Sequence, residues 1–588
     1  SVNVQYSQYP GVLANETEGN FPNSYKEVVW DQHYYVADAY ATYNNTWNDA
    51  HNLTVIGGLN YEAKYYRDLT AKNTDLLSED LNDFNLAMGT DNFSITGGKN
   101  EYAIMGFFYR AAYNYKGKYL FEVNGRYDGT SRFPRGKRYG FFPSFSAGYR
   151  ISEEKFFEPL RNVFDNVKIR GSYGSLGNQQ IGYYDFIQTI STRGLMSGYS
   201  FNGTSLGQHA TVSDPVSGDQ TWEKVETKNL GLDLSVLNNR LSFTGEVYTR
   251  DVKGILSTGR SLPSIYGAKE PQVNANDLRT KGYELVLTWN DSFRLGSHRF
   301  NYSVSASFSD YTSEYTKCDN PSGLLGDPYV GKKAGEIWGY RVDGLFRNDE
   351  EAAEYASRID MKTVAPGCYN ATGTYGMGVR GGDLKYLDLN NDGIINGGKS
   401  TTEDSGDRVI IGNSTPRYHY GINLSAEWFG IDLSVFFQGI GKQDWYPGAD
   451  NLRFWGPYAR PYATFIPRNF MSEVWSEDNP NAYYPRARAY SSLNTTSGTV
   501  YYTNDRYLQN LAYCRLKNLT IGYTLPKKLT QKAYIQNCRV YVSGENLFTW
   551  TKLHGDFVDP EQISADSDKK ANVYPWSKTF AVGLNITF

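Results

Sequence analysis

The densest run of metal-type ligands in the chain is Asp388-Leu-Asn390-Asn-Asp392-Gly393-Ile394-Ile-Asn396. Side-chain oxygens from Asp388, Asn390 and Asp392, the carbonyl of Ile394 and a further polar side chain at Asn396 follow the spacing of a loop that wraps a hard cation. Gly393 stands where such a loop turns sharply. The pattern leads us to expect a structural Ca2+ (or Mg2+). It breaks at the closing acidic position, which is Lys399; Glu403, Asp404 or Asp407 can supply that carboxylate after an insertion. The competing reading is an Asx-rich turn that holds no metal. Either role orders a loop and catalyses nothing.

A second constellation lies in 445–509, where Arg453, Trp455, Tyr458, Arg460, Tyr462, Arg468 and Trp475 mix flat rings with forked cations. Aromatic faces stack on sugars and peptides, and guanidinium groups donate paired hydrogen bonds, so this stretch suits a contact with polar oligomers or with a protein partner. The alternative is that these rings pack on one another and build the loop itself.

Nothing in the chain points to covalent chemistry. The six histidines (His33, His51, His209, His298, His419 and His554) lack the H-x-x-x-H spacing of a helical zinc pair, and there is no phosphate loop or nucleophile elbow. Cys318, Cys368, Cys514 and Cys538 show no C-x-x-C spacing. Cys318 and Cys368 fall in one loop, as a disulfide or as two free thiols. With 59 basic and 63 acidic residues the net charge of −4 argues against a nucleic-acid binder. No resident cofactor for chemistry is expected.

The elements that must position these stretches are strands. Hydrophobic residues make up 40% of the 588, no apolar run approaches the ~20 residues of a membrane helix, and 50 Tyr and 58 Gly stand out. Phe580, Val582, Leu584, Ile586 and Phe588 alternate with Thr579, Ala581, Gly583, Asn585 and Thr587, giving one apolar and one small or polar face. The same alternation recurs at 121–127, 229–235, 241–247, 301–308 and 420–428, with Glu122, Asp233, Glu246 and Glu427 on the polar face. A packed soluble core does not accept such charges unpaired, whereas lipid on one side and a wet lumen on the other satisfy both faces.

Sixteen strands are expected, near 2–9, 32–47, 51–68, 102–116, 118–132, 139–152, 166–177, 221–236, 240–256, 277–290, 298–317, 416–429, 431–444, 510–524, 538–550 and 578–588. Their connections sort by parity. One set is short, as at Asn48–Ala50, Gly117 and Gly430; the other runs to 318–415 and 445–509, with 133–138 its short member. Short periplasmic turns and long extracellular loops are the mark of an all-β transmembrane antiparallel barrel of the outer membrane of a Gram-negative bacterium. Trp47, Trp289 and Trp428 flank short turns, as an aromatic girdle would. Passive diffusion through a porin, and a secreted β-rich glycan-binding protein, are the alternatives.

Specific segments carry a resemblance. Tyr127-Asp-Gly-Thr-Ser-Arg-Phe133, Gly140-Phe-Phe-Pro-Ser-Phe-Ser-Ala-Gly-Tyr-Arg-Ile-Ser152, Arg170-Gly-Ser-Tyr-Gly-Ser-Leu-Gly-Asn178, the Asp388–Gly393 segment, Leu516-Lys-Asn-Leu-Thr-Ile-Gly-Tyr-Thr-Leu-Pro526 and Gly544-Glu-Asn-Leu-Phe548 resemble the C-terminal part of SusC-like (SusC/RagA) TonB-dependent transporters of Bacteroidetes. The resemblance implies about 16 strands of a 22-stranded barrel, with the plug and N-terminal domains outside residues 1–588. It implies TonB-coupled import of oligosaccharides first and peptides second, under a SusD-like surface lipoprotein. The implied partners are TonB–ExbB–ExbD through the N-terminal part, the barrel assembly machinery (which would read Phe588), and surrounding lipid and lipopolysaccharide. The chain opens at Ser1 with no signal peptide, so a leader removed, or a different original N-terminus, is expected.

Overall fold

The computed structural model describes residues 2–7, 24–78, 83–90, 93–195, 200, 201, 204, 205, 208–259, 264–369, 378–449, 451–459, 466, 468–488, 492–494, 498–555, 558–563 and 573–588. Sixteen strands follow one another in hydrogen-bonding order, and the expected count is met. They are β1 (Val2–Ser7), β2 (Ser24–Trp47), β3 (His51–Thr74), β4 (Ser94–Tyr115), β5 (Tyr119–Thr130), β6 (Tyr139–Arg150), β7 (Phe164–Asn178) and β8 (Glu223–Val236). The second half comprises β9 (Leu241–Thr258), β10 (Gln272–Leu295), β11 (His298–Lys317), β12 (Arg417–Trp428), β13 (Ile431–Lys442), β14 (Tyr513–Thr524), β15 (Asn537–Thr551) and β16 (Thr579–Thr587).

Three strands are longer than their apolar periodicity indicates. β2 begins at Ser24, β3 runs on to Thr74 and β4 begins at Ser94. In these extensions Asp31, Lys72 and Lys99 interrupt the apolar alternation on both faces while the hydrogen-bond ladder continues. A membrane crossing needs only about 9–11 residues per strand.

The short connections close by left-handed backbone. Asn48 and Asp49 (φ 50° and 49°) join β2 to β3, and Phe429 and Gly430 (φ 51° and 82°) join β12 to β13. These are the conformations that twist-matched hairpins require, and Gly430 takes the one a side chain would strain.

Contacts divide the chain into two units. The first comprises Ser1–Ala147, Ser172–Glu226 and Val252–Ala275. In it, Val55, Leu59, Met105, Phe107, Phe121, Val123 and Tyr127 form one exposed face of β3–β5, with Leu59 opposite Phe107 and Phe107 opposite Tyr127. Small buried clusters, Tyr25 with Leu76 and Ala87, and Phe133 with Phe142 and Trp222, fasten its loops. The second comprises Gly148–Gly171, Thr227–Asp251 and Asn276–Phe588. There β16 pairs with β15 so that Val582 faces Val542 and Leu584 faces Val540. Phe580 and Val582 are 73% and 77% exposed, the apolar face expected of a strand that meets lipid. Phe588 follows β16 and is exposed. Trp428 donates its indole N–H to the carbonyl of Leu295 at 3.3 Å, beside the 429–430 turn.

The main core of the second unit lies in the loops, not among the strands. Residues 318–416 and 443–512 pack Tyr340, Phe346, Met361, Tyr386, Phe454 and Tyr507 into one buried cluster. A helix, α1 (Asp349–Ala356), stands on its flank with Ala352 inward. Asn348 caps it by accepting the N–H of Glu351 at 2.9 Å, and Glu351 in turn accepts the N–H of Arg347 at 2.8 Å.

Candidate functional site

The polar face of the strands is built from ion pairs. Glu122 accepts from Arg110 at 2.7 Å. Asp233 accepts from Arg170 at 3.2 Å, and Glu246 accepts from the same guanidinium and from Asn229 at 2.6 Å. Arg539 reaches across Gly522 to Asp432 at 2.8 Å; a Cβ on Gly522 would sit 2.4 Å from the Asp432 carboxylate. Arg170 likewise passes over Gly231, whose Cβ would meet the guanidinium carbon at 2.7 Å. Thr288 and Ser305 share a hydroxyl hydrogen bond at 2.9 Å. Glu284 and Glu427 form no ion pair among the described residues, and Glu427 lines a cleft of about 900 Å3 with Arg240, Asp291, Arg299 and Asp432. A face like this holds water and polar solute. Of its carboxylates, Glu122, Asp233, Glu246 and Asp432 are held in ion pairs.

The aromatic–arginine stretch divides. Trp455 and Tyr458 are 0% and 1% exposed, and Trp475 is also buried. Trp455 donates to the Gly448 carbonyl at 3.0 Å and Tyr458 to the Pro485 carbonyl at 2.5 Å. The Arg486 guanidinium lies 5.2 Å over the Trp475 ring. These three rings therefore build the interior of the loop cluster, and the expectation that they face a ligand or lid directly is corrected: a loop of this length needs its own core, and the largest rings go there. Arg453 and Arg468 are exposed on its surface. Arg460 and Tyr462 lie outside the described residues.

Beneath them sits a buried charge cluster. Asp383, fully buried, accepts the N–H of Arg380 at 2.8 Å and is in contact with the Arg488 guanidinium. Arg488 also donates to the Gly378 carbonyl at 3.1 Å and touches the Cys368 sulfur at 3.7 Å. Burial pushes the Asp383 carboxyl up to about 6, against the lowering field of Arg488. Burial also raises the Cys368 thiol to about 12. All four cysteines are free thiols, so Cys318 and Cys368 are not bridged. Nothing in the sequence links Asp383 to Arg488, which lies 105 residues on.

The Asp388 loop folds as a set of Asx turns. Asp388 accepts the N–H groups of Asn391 at 2.7 Å and Gly393 at 2.9 Å. Asn390 accepts that of Asp392 at 3.0 Å, and Asp392 that of Ile394 at 2.8 Å. Asn396 donates to the Ile394 carbonyl at 3.2 Å. Buried Asp407 closes the loop, accepting from Leu389 at 2.7 Å and Asn396 at 2.9 Å. Among the described residues no three His, Cys, Asp or Glu side chains converge as a metal cluster.

A large antiparallel sheet with a lipid-type face, an ion-paired polar face and folded loops at one end defines an outer-membrane β-barrel. Residues 1–547 match the family model described as TonB dependent receptor-like, beta-barrel, and the chain belongs to that family. It is 28% identical over 566 residues to TonB-dependent receptor P3 of Formosa agariphila, covering 94% of this chain and 52% of that protein. It is 25% identical over 490 residues to TonB-dependent receptor SusC of Bacteroides thetaiotaomicron, covering 82% of this chain and 44% of that one. The RagAB peptide transporter structure superposes with a TM-score of 0.75 at 21% identity, over 98% of this chain and 57% of its own, which shows the shared fold. The chain spans about half the length of the curated relatives it matches. Its family is one of receptors and transporters rather than enzymes, resident in the Gram-negative outer membrane.

Proposed function

We propose that the protein containing this chain imports oligomeric nutrients across the outer membrane, energised through TonB. The chain supplies barrel wall and extracellular loops. The observation that carries the reading is the ion-paired polar face on strands whose other face is apolar, in a member of the TonB-dependent receptor family. Oligosaccharides are the first substrate class and peptides the second; the peptide class has support from the description of the RagAB structure as a peptide transporter. A SusD-like surface lipoprotein closes over the loops, with Arg453 and Arg468 on the face available to it. TonB–ExbB–ExbD acts through segments outside this chain, and the barrel assembly machinery recognises the apolar face of β16 together with Phe588. The test is uptake of labelled oligosaccharide or peptide by cells carrying the full-length receptor, with and without the proton motive force. Energy-dependent uptake is expected. Uptake that persists after the force is collapsed establishes passive diffusion instead.

A structural Ca2+ (or Mg2+) in the Asp388 loop belongs to the same proposal. The turn hydrogen bonds use one lone pair on each oxygen of Asp388, Asn390 and Asp392, which leaves a second for a cation.

A further inference from the structure

On β13 the two-residue alternation carries one ring too many. Leu433, Val435 and Phe437 fall on the lipid-type face, opposite Ala426, Leu424 and Ile422 of β12, and Asp432, Ser434 and Gln438 fall on the polar one. Phe436 stands among the polar set, opposite Asn423, and is partly exposed. It lies over Gly421 of β12, where a Cβ would come 3.4 Å from its ring and 3.0 Å from the Ser307 hydroxyl of β11. The same face gathers Ser309, His419 and Gln438 around it, since Ser309 pairs with His419 and Gly421 pairs with both Ser307 and Gln438. With Pro560 and Glu561 these side chains line a cleft of about 370 Å3, at the end of the strands where 318–416 and 443–512 begin. The volume is in the range that holds a small ligand.

No charge is left over in this cleft. Glu561, its one carboxylate, accepts from Arg515 at 2.6 Å and from Lys517 at 2.8 Å, and Arg515 also donates to Asp559 at 2.6 Å, so two cations meet two anions. The side chains of Ser309, His419 and Gln438 form no hydrogen bond among the described residues. His419 is steadied by Tyr311, whose ring lies parallel to it at 6.3 Å. A hydroxyl, an imidazole and an amide each offer both a donor and an acceptor. Sugar hydroxyls do the same, and the C–H face of a sugar ring packs on an aromatic side chain. A peptide is served less well. The ladder occupies both edges of β12 and β13, leaving none open to strand addition, and no free charge meets a chain terminus.

We propose that this cleft is a subsite for one uncharged sugar residue of the imported oligomer, its ring against Phe436 and its hydroxyls on Ser309, His419 and Gln438. The proposal rests on the import reading and narrows it, selecting sugars over peptides and uncharged sugars over acidic ones.

The test combines calorimetric binding to full-length receptor in mild detergent with uptake by cells that carry it. The probes are uncharged gluco-, manno-, galacto- and xylo-oligosaccharides, the corresponding uronic-acid oligomers, and uncharged peptides of matching length. An uncharged oligosaccharide binds, and Phe436→Ala weakens it about tenfold through loss of the ring contact. Gln438→Ala weakens it about threefold to tenfold. Phe436→Tyr retains the affinity, and Ser434→Ala, further down the same face, leaves it unchanged. Wild-type affinity in both Phe436→Ala and Gln438→Ala overturns the subsite, as does binding of only the uronic-acid oligomers or the peptides, or of no probe. Uptake separates this failure from that of the import reading. Energy-dependent uptake with unaltered affinity in the two variants removes the subsite alone. Affinity that falls in the variants, with uptake that survives collapse of the proton motive force, supports the subsite and removes active import. Heat-modifiable migration on gels verifies that the barrel is folded; if Phe436→Ala fails to fold, Gln438→Ala is read against the same outcomes.

Discussion

Removing the guanidinium from the buried Asp383–Arg488 pair has a cost that depends on pH, and the geometry gives the sign. In the native loop cluster the Asp383 carboxyl is raised from 3.8 to about 6. The folded state therefore holds a proton that the unfolded state has released between those values. The stability this contributes is fully present below the lower value and is lost as pH rises through the upper one, about 3 kcal/mol in all. At pH 7.5 the group is an ion whose compensation comes from Arg488 and the Arg380 N–H; its other oxygen has no hydrogen bond among the described residues. Arg488→Met leaves that ion buried without its cation, at about 3–5 kcal/mol. At pH 5 Asp383 is mostly neutral, and what is missed is the Arg488 bond to the Gly378 carbonyl with its neutral contacts to Asp383 and Cys368, about 1–2 kcal/mol. Pulse proteolysis of the detergent-solubilised receptor in urea reads the loop cluster separately, because it opens while the strand ladder holds. Arg488→Met should therefore be cut at markedly lower urea at pH 7.5 and nearly like wild type at pH 5. The same loss at both values, or none at pH 7.5, refutes the ionised, Arg-compensated Asp383.

Trp455→Ala empties the centre of the same cluster, at about 3–5 kcal/mol, and should open the loops to protease while heat-modifiable migration of the barrel persists. Leu584→Arg on the lipid face of β16 should cost about 2–4 kcal/mol and lower outer-membrane levels, while Ser543→Arg on the opposite face of β15 is tolerated; equal loss from both contradicts the face assignment. Gly522→Val places a side chain on the Asp432 carboxylate and should destabilise the barrel by about 1–3 kcal/mol, seen as earlier loss of heat-modifiable migration. Millimolar Ca2+ should slow proteolysis of the loop cluster in wild type and not in Asp388→Asn; no calcium effect in wild type removes the metal from the loop.

The strands were legible because a two-residue period is local and lipid enforces it: Phe580 to Ile586 announce their face without any partner in view. The extensions of β2–β4 were not, since there Asp31, Lys72 and Lys99 break the hydrophobic alternation. The Asp388 turn was readable for the same reason as the strands, its hydrogen-bonding side chains lying within one loop. Asp407, which closes that turn, was legible only as one of several acids. Trp455, Tyr458 and Trp475 were visible as a cluster, but the direction of a ring in a long loop depends on what 318–416 places opposite it. Asp383 and Arg488 carry no mutual signal until the two loops meet.

Glycine beneath the Arg539–Asp432 pair has a consequence for how the sheet finds its alignment. Slipping β14 by one residue turns its side chains to the wrong face, which lipid forbids. Slipping it by two keeps the faces correct, and hydrophobicity alone does not object. Such a slip, however, brings Thr520 or Thr524 under the arginine in place of Gly522, and the bridge between β13 and β15 is blocked. The lipid thus rejects odd errors and the glycine rejects even ones, so that together they leave one alignment for β14 in which the charges on its two neighbours can meet.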